Sequence, residues 1–228
     1  SGAYVQPLFV NDTKYGKSEP EGASAIGGQE VVLNGVELVK AEGGSKAAAI
    51  GNKYWAATNI VIKNSTLGDI FGGNASAAIG GSRYDGESKH NISIEIENST
   101  ITNAVGGQAG AGIGSGYDTY CATNDSNAVN KIEISTSTIT AKGGKYAAGI
   151  GTGHHAAALT GSIDAASKIN ATSGDESYCD ESGYGRLNTV AQGIGYGSVD
   201  ASPRRRHQGE HQHVRRGRHV QEHEKGGK

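Results

Sequence analysis

Short apolar runs alternate with polar residues, then bend, and the same arrangement recurs along the chain. Ile92-Ser-Ile94-Glu-Ile96 and Ile132-Glu-Ile134-Ser135 have the period of two that marks a half-buried strand, isoleucine inward and Glu, Ser or Lys outward. Each run leads into a polar corner (Asn64-Ser-Thr-Leu, Asn98-Ser-Thr-Ile) and then a Gly-Gly pair. A tract of small residues ending in Ile-Gly closes the unit. Those small side chains suit a second, closely packed strand better than an amphipathic helix. The clearest copies are 92–114 and 131–151, with earlier ones at 31–51 and 59–81. A unit of about 20 to 25 residues is the mark of a solenoid.

The isoleucine of the Ile-Gly step falls at Ile26, Ile50, Ile79, Ile113, Ile150 and Ile194, at intervals of 24, 29, 34, 37 and 44. Mainly the segment after each Ile-Gly lengthens, as in a solenoid that absorbs insertions as outward loops. Stacked rungs place these six residues in one internal ladder. The expected fold is all-β: a single right-handed parallel β-helix of about six rungs, about 30 Å long at about 4.8 Å per rung. Residues 1–21 form an N-terminal cap or first strand, 22–200 the helix, and 201–228 a disordered basic tail.

The unit resembles the Gly-Ile-Gly-containing right-handed parallel β-helix repeats of large secreted bacterial surface proteins. More loosely, it is similar to the Gly-Gly-Ala-Ile and Phe-x-x-Asn repeats of adhesin-like autotransporter passengers, with Phe71-Gly-Gly-Asn74 matching once. The likeness covers about residues 22 to 197. It implies a rod-shaped extracellular protein, and its motifs speak to fold more than to activity.

Composition agrees with a narrow core. Glycine supplies 37 of 228 residues and aromatics 6%, with two Phe and one Trp; a compact globule of this size brings more large apolar residues to its centre. No apolar run reaches 18 residues, so no helix is expected to span a membrane. A start at Ser1-Gly2-Ala3 without any Met reads as a processed or excised product, with any signal peptide out of view.

Compartment is addressed by two further features. Cys121 and Cys179 are the only cysteines; in a secreted protein they are candidates for a disulfide between loops, and otherwise two unpaired thiols. Asn-x-Ser/Thr occurs at Asn11, Asn64, Asn74, Asn91, Asn98, Asn124 and Asn170, against about two expected by chance. These are glycosylation candidates, although solenoid corners also favour Asn, Ser and Thr.

After Asp200 the character changes. Residues 203–228 hold eight Lys/Arg, three Glu and five of the eight His, whereas the rest of the chain has 13 Lys/Arg against 20 Asp/Glu. Such a segment buries too little apolar surface to fold alone. No aromatics interleave with its arginines, which argues against a nucleic-acid partner. Its unlikeness to everything upstream also fits a segment translated out of register with a further rung.

Candidate chemistry is sparse. His207, Glu210, His211 and His213 lack the order of a zinc-protease motif and suit loose metal contact rather than a built site. His154-His155 is expected on a solvated loop. Asp69, Asp85, Asp118, Asp164, Glu95, Glu97 and Glu133 could serve a polysaccharide-cleaving enzyme, but no Asp-Asp pair or dense acidic cluster appears. Tyr84, Tyr117, Tyr120 and Tyr146 could stack on sugar rings or simply cover the rod's flank. Thr66, Thr100 and Thr138, with Thr102 and Thr140, could form a flat water-ordering row or plain solvent-facing ladders. No metal, cofactor or catalytic residue is assigned. The expected role is non-catalytic: an extracellular structural or adhesive surface protein, rod-like, glycosylated and able to assemble into fibres. Its partners would be itself or extracellular glycans and proteins. The alternatives are a polysaccharide lyase or hydrolase, or a glycan-binding module.

Overall fold

Each repeat contributes three strands, one more than its pattern suggests. The computed structural model describes residues 3–5, 9–10, 21–52, 58–82, 92–117, 130–154, 159–174 and 193–195. Among these the protein is all-β, without a helix, and its strands stack in three parallel sheets in the manner of a β-solenoid.

The first face stacks Glu30–Asn34, Thr58–Lys63, Ile92–Glu97, Asn130–Ser135 and Leu159–Ile163. The second stacks Ala3–Val5, Glu37–Glu42, Thr66–Phe71, Thr100–Val105, Thr138–Lys142 and Lys168–Thr172. The third is made of two-residue Ile-Gly strands from Ile26–Gly27 to Ile194–Gly195. The second face was hidden because its inward positions are mixed: Leu67 and Ile70 point in, with Gly68 and Asp69 between them. A step of three instead of two blurs the alternation that marks a strand, and the ladder shifts register between Ile101 and Ala104.

The core follows from this register. On the first face Ile60, Ile94 and Ile132 lie side by side, as do Ile62, Ile96 and Ile134. Leu38, Leu67, Ile101 and Ile139 do the same on the second. On the third, Ile26, Ile50, Ile79, Ile113, Ile150 and Ile194 pair in sequence, rung against rung. Ile50, Ile79, Ile113 and Ile150 are wholly buried, Ile26 partly, and Ile194 is 49% exposed. The last isoleucine therefore stands in the ladder but is half-exposed rather than enclosed in the core.

Glycine acts at two places for two reasons. In the Ile-Gly strands, Gly51, Gly80, Gly114, Gly151 and Gly195 hold φ of 131° to 145°, a region that L side chains rarely adopt. The Gly-Gly corners do not need that freedom, contrary to the turn expected of them. The left-handed residues there are Lys46, Ala75, Ala109 and Tyr146. What the second glycine supplies is space: a Cβ on Gly73, Gly107 or Gly144 would fall within 1.8 Å of a carbonyl oxygen on the rung before.

Insertions fall mostly where expected, between an Ile-Gly strand and the next first-face strand. The last repeat differs. Eight positions separate the end of a second-face strand from the following Ile in four repeats, but 22 separate Thr172 from Ile194. At the N-terminal side, Ala3–Val5 lies parallel to Glu37–Glu42, and Phe9–Val10 pairs antiparallel with Glu21–Gly22. The tail at 201–228 lies outside the described residues.

Candidate functional site

The corner between the first and second faces is the most ordered polar feature. Asn64, Asn98 and Thr136 adopt φ of 50°, 45° and 49° there, with Gly35 in the matching place at 68°; Asn tolerates this region better than most residues. The exposed amides form a ladder. Asn64 Nδ2 donates to Asn34 Oδ1 at 3.0 Å, and Asn98 Nδ2 to Asn64 Oδ1 at 2.8 Å. Behind them runs a serine column, buried at Ser65, Ser99 and Ser137 and half-buried at Ser167. Backbone N–H groups of Val36, Ser65, Ser99 and Ser137 donate to the hydroxyls of Ser65, Ser99, Ser137 and Ser167, each at 3.1 Å. Two of the sequons thus lie in a structural corner, with their side-chain amides already engaged. Asn74 and Asn170 are exposed elsewhere. Asn11, Asn91, Asn124, Cys121 and Cys179 lie outside the described residues.

Acidic side chains pair locally instead of converging. Lys63 reaches Glu95 at 2.7 Å and Glu97 at 2.9 Å, and those hydrogen bonds, that to Glu95 first, raise its pKa well above the usual lysine value. Lys131 pairs with Glu133 at 2.9 Å, and Lys40 with Glu42. Asp69 accepts from Asn103 Nδ2 at 2.9 Å. Asp164 accepts from the Ser167 hydroxyl at 2.6 Å and from the N–H groups of Ser167 and Thr136. These bonds, led by the Ser167 hydroxyl, hold its carboxyl below the ordinary range. Asp85 and Asp118 are outside the described residues.

The threonines do stack. Thr66, Thr100 and Thr138 are in register, but Glu37 and Lys168 interrupt the row at its two ends. Thr102 donates its hydroxyl to the Leu67 carbonyl.

A second feature gathers residues that the pattern had left apart. Tyr117 and His154 occupy equivalent places, four positions after Ile113 and Ile150, and their rings stack 5.6 Å apart at 24°. Their N–H groups donate to the carbonyls of Ala75 and Ala109, which folds each ring back over the Gly-Gly corner of the rung before. Tyr146 also approaches the histidine, with ring centroids 5.1 Å apart at a tilt of 40°. His154 is therefore buried, at 8% exposure, not on a solvated loop; the clue lay in the aligned segments Ile-Gly-Ser-Gly-Tyr and Ile-Gly-Thr-Gly-His. These rings, with Asn74, Ala75, Gln108 and Ala109, line a recess of about 310 Å³. Tyr84, Tyr120 and His155 lie outside the described residues, as do His207, Glu210, His211 and His213.

Among the described residues no group of three His, Cys, Asp or Glu is placed to hold a metal. No helix there is long and apolar enough to cross a membrane. Comparison with protein families, with curated proteins and with solved structures returns no match.

Proposed function

We propose that the chain is a non-catalytic structural or adhesive element of an extracellular surface, a stiff rod that presents its outer faces for contact. The observation that carries this reading is the stacking of three parallel faces around one shared apolar core. Backbone hydrogen bonds run from rung to rung, so stiffness is built into every repeat. Outward side chains bond to neighbours on the same face, as Lys63, Glu95, Glu97 and Asp69 do, or in the same corner, as Asp164 does. An enzyme acting on polysaccharide would instead need carboxylates aimed jointly at one bond.

In this reading the rod is a right-handed β-helix of about six rungs, in keeping with the strong chiral preference of parallel crossovers. Among the described residues the first face ends at Glu30–Asn34 and at Leu159–Ile163. End strands offer unpaired backbone to a second copy, which makes end-to-end assembly the natural route to fibres. Asn170 suits a glycan better than Asn64 or Asn98, whose amides are tied into the corner ladder.

Negative-stain microscopy with sedimentation at increasing concentration tests the proposal. Thin particles that lengthen with concentration, and no release of reducing ends from polysaccharides, are expected. Compact particles of fixed size, or turnover of a polysaccharide, would overturn it.

A further inference from the structure

We infer that the recess bounded by Tyr117, His154 and Tyr146 is a binding site for a neutral carbohydrate. This deepens the adhesive reading above by naming a ligand class, and it rests on that reading for its setting.

The recess is built by the repeat itself. At the left-handed position of the Gly-Gly corner, successive rungs carry Lys46, Ala75, Ala109 and Tyr146. Two consecutive alanines, each 8% exposed, hollow the corner where a larger side chain stands on either side. The aromatic column Tyr117–His154–Tyr146 walls this hollow. On its rim stand Asn74 and Gln108, exposed and in equivalent places one rung apart.

The chemistry of the lining selects the ligand. Aromatic faces next to a small-residue floor suit a ring with an apolar C–H face. Each carboxamide offers donors and an acceptor, the combination that adjacent hydroxyl groups satisfy. Among the described residues the lining contains no carboxylate, ammonium or guanidinium, which disfavours phosphates and nucleotides and favours an uncharged polyol ring. Lys145 Nζ lies 5.8 Å from the Tyr146 ring centre. A volume of about 310 Å³ is at the small end for ligand sites, which run from about 300 to 1,000 Å³, so the hollow takes one or two sugar units of a longer chain. Repetition at the rung spacing lets a linear glycan run along the rod's axis.

The full chain is titrated with neutral tri- to hexasaccharides of glucose, mannose, xylose and N-acetylglucosamine, using saturation-transfer NMR and calorimetry. At least one series should bind. Gln108→Ala, an exposed change, should weaken that binding about tenfold, and Tyr117→Ala by at least as much. Tyr117→Phe, which keeps the ring, should leave it within about threefold. Circular dichroism melts establish that each variant is folded. Absence of transfer from every neutral series at millimolar concentration overturns the site. So does unchanged binding by Gln108→Ala and Tyr117→Ala, or a preference for uronic-acid oligomers that Gln108→Ala leaves intact. Rods that still lengthen without binding sugar would sink this inference alone; sugar binding by compact, non-assembling particles would sink the structural reading and leave the site standing.

Discussion

Ser65, Ser99 and Ser137 each perform two tasks at the corner between the first and second faces. Each hydroxyl donates to a carbonyl two residues back, at 2.6 to 2.7 Å, and accepts an N–H from the preceding rung. Ser99→Ala removes both bonds and strands the buried Ser65 N–H, so it should destabilise the fold by about 1–3 kcal/mol in denaturant unfolding; a value near zero would mean that water replaces the hydroxyl. Asp164 closes this column at the fifth strand pair, between Leu159–Ile163 and Lys168–Thr172. Its carboxyl pKa is lowered in the folded state, so its contribution is complete above the unfolded carboxylate value of about 4 and is lost as pH falls through the lower folded one. Lys63 runs the opposite way: its pKa is raised, so its support holds below about 10.4 and fades as pH rises through the folded value. Thermal midpoints across pH should show Asp164→Ala weaker than the parent at neutral pH, with the two converging in acid. A gap of constant size at all pH values would contradict that assignment. Salt should shrink the Lys63 contribution, because its partners are exposed.

At the scale of the strand, the Ile-Gly pair decides how closely rungs stack. Ile79 is fully buried between Ile50 and Ile113, and Ile79→Ala should cost about 2–5 kcal/mol. Gly114 is less tolerant still. Its φ is +135°, and an added Cβ would lie 1.8 Å from the Gly151 carbonyl oxygen. Gly114→Ala should therefore lose more than the roughly 1–3 kcal/mol of an unfavourable backbone angle, because the obstructing atom is a backbone oxygen held in the next rung. Unfolding curves that rank Gly114→Ala milder than Ile79→Ala would refute the close-packing argument. The first and third faces were legible because Ile94 and Ile96 alternate with polar residues and Ile113 belongs to a recurring Ile-Gly step. The second face was not, since Leu67–Gly68–Asp69–Ile70 breaks alternation and its strand role emerges only from pairing with Leu38 and Ile101. Tyr117 and His154 were visible singly, but their stacking depends on a strap that folds back across rungs, a relation that sequence spacing does not carry. The reach of Lys63 to both Glu95 and Glu97 likewise depends on register between strands 34 positions apart.

At the scale of the whole molecule, stability is close to a sum of rung and neighbour terms, so an end rung should open before a middle one. The rung at Leu159–Ile163 and Lys168–Thr172 carries the marks of such an end. Gly161 takes the inward place that Val31, Ile60, Ile94 and Ile132 fill in the earlier strands, and Ile163 and Ile169 are only partly buried. Together with Ile132, Ile150 and the half-exposed Ile194, Gly161 and Ile163 border an apolar hollow of about 350 Å³. Middle strands, by contrast, bury Ile92, Ile94, Ile96 and Ile101 almost completely. Amide hydrogen exchange at neutral pH should therefore be fastest in 159–172 and slowest in 92–105, with 131–142 between them. A single uniform protection level across these strands would show that the rod unfolds only as one unit, and the nearest-neighbour account of its stability would fail. If end-to-end assembly covers this end, raising the concentration should slow exchange in 159–172 first and leave 92–105 unchanged. Equal slowing of both segments would point to lateral association instead.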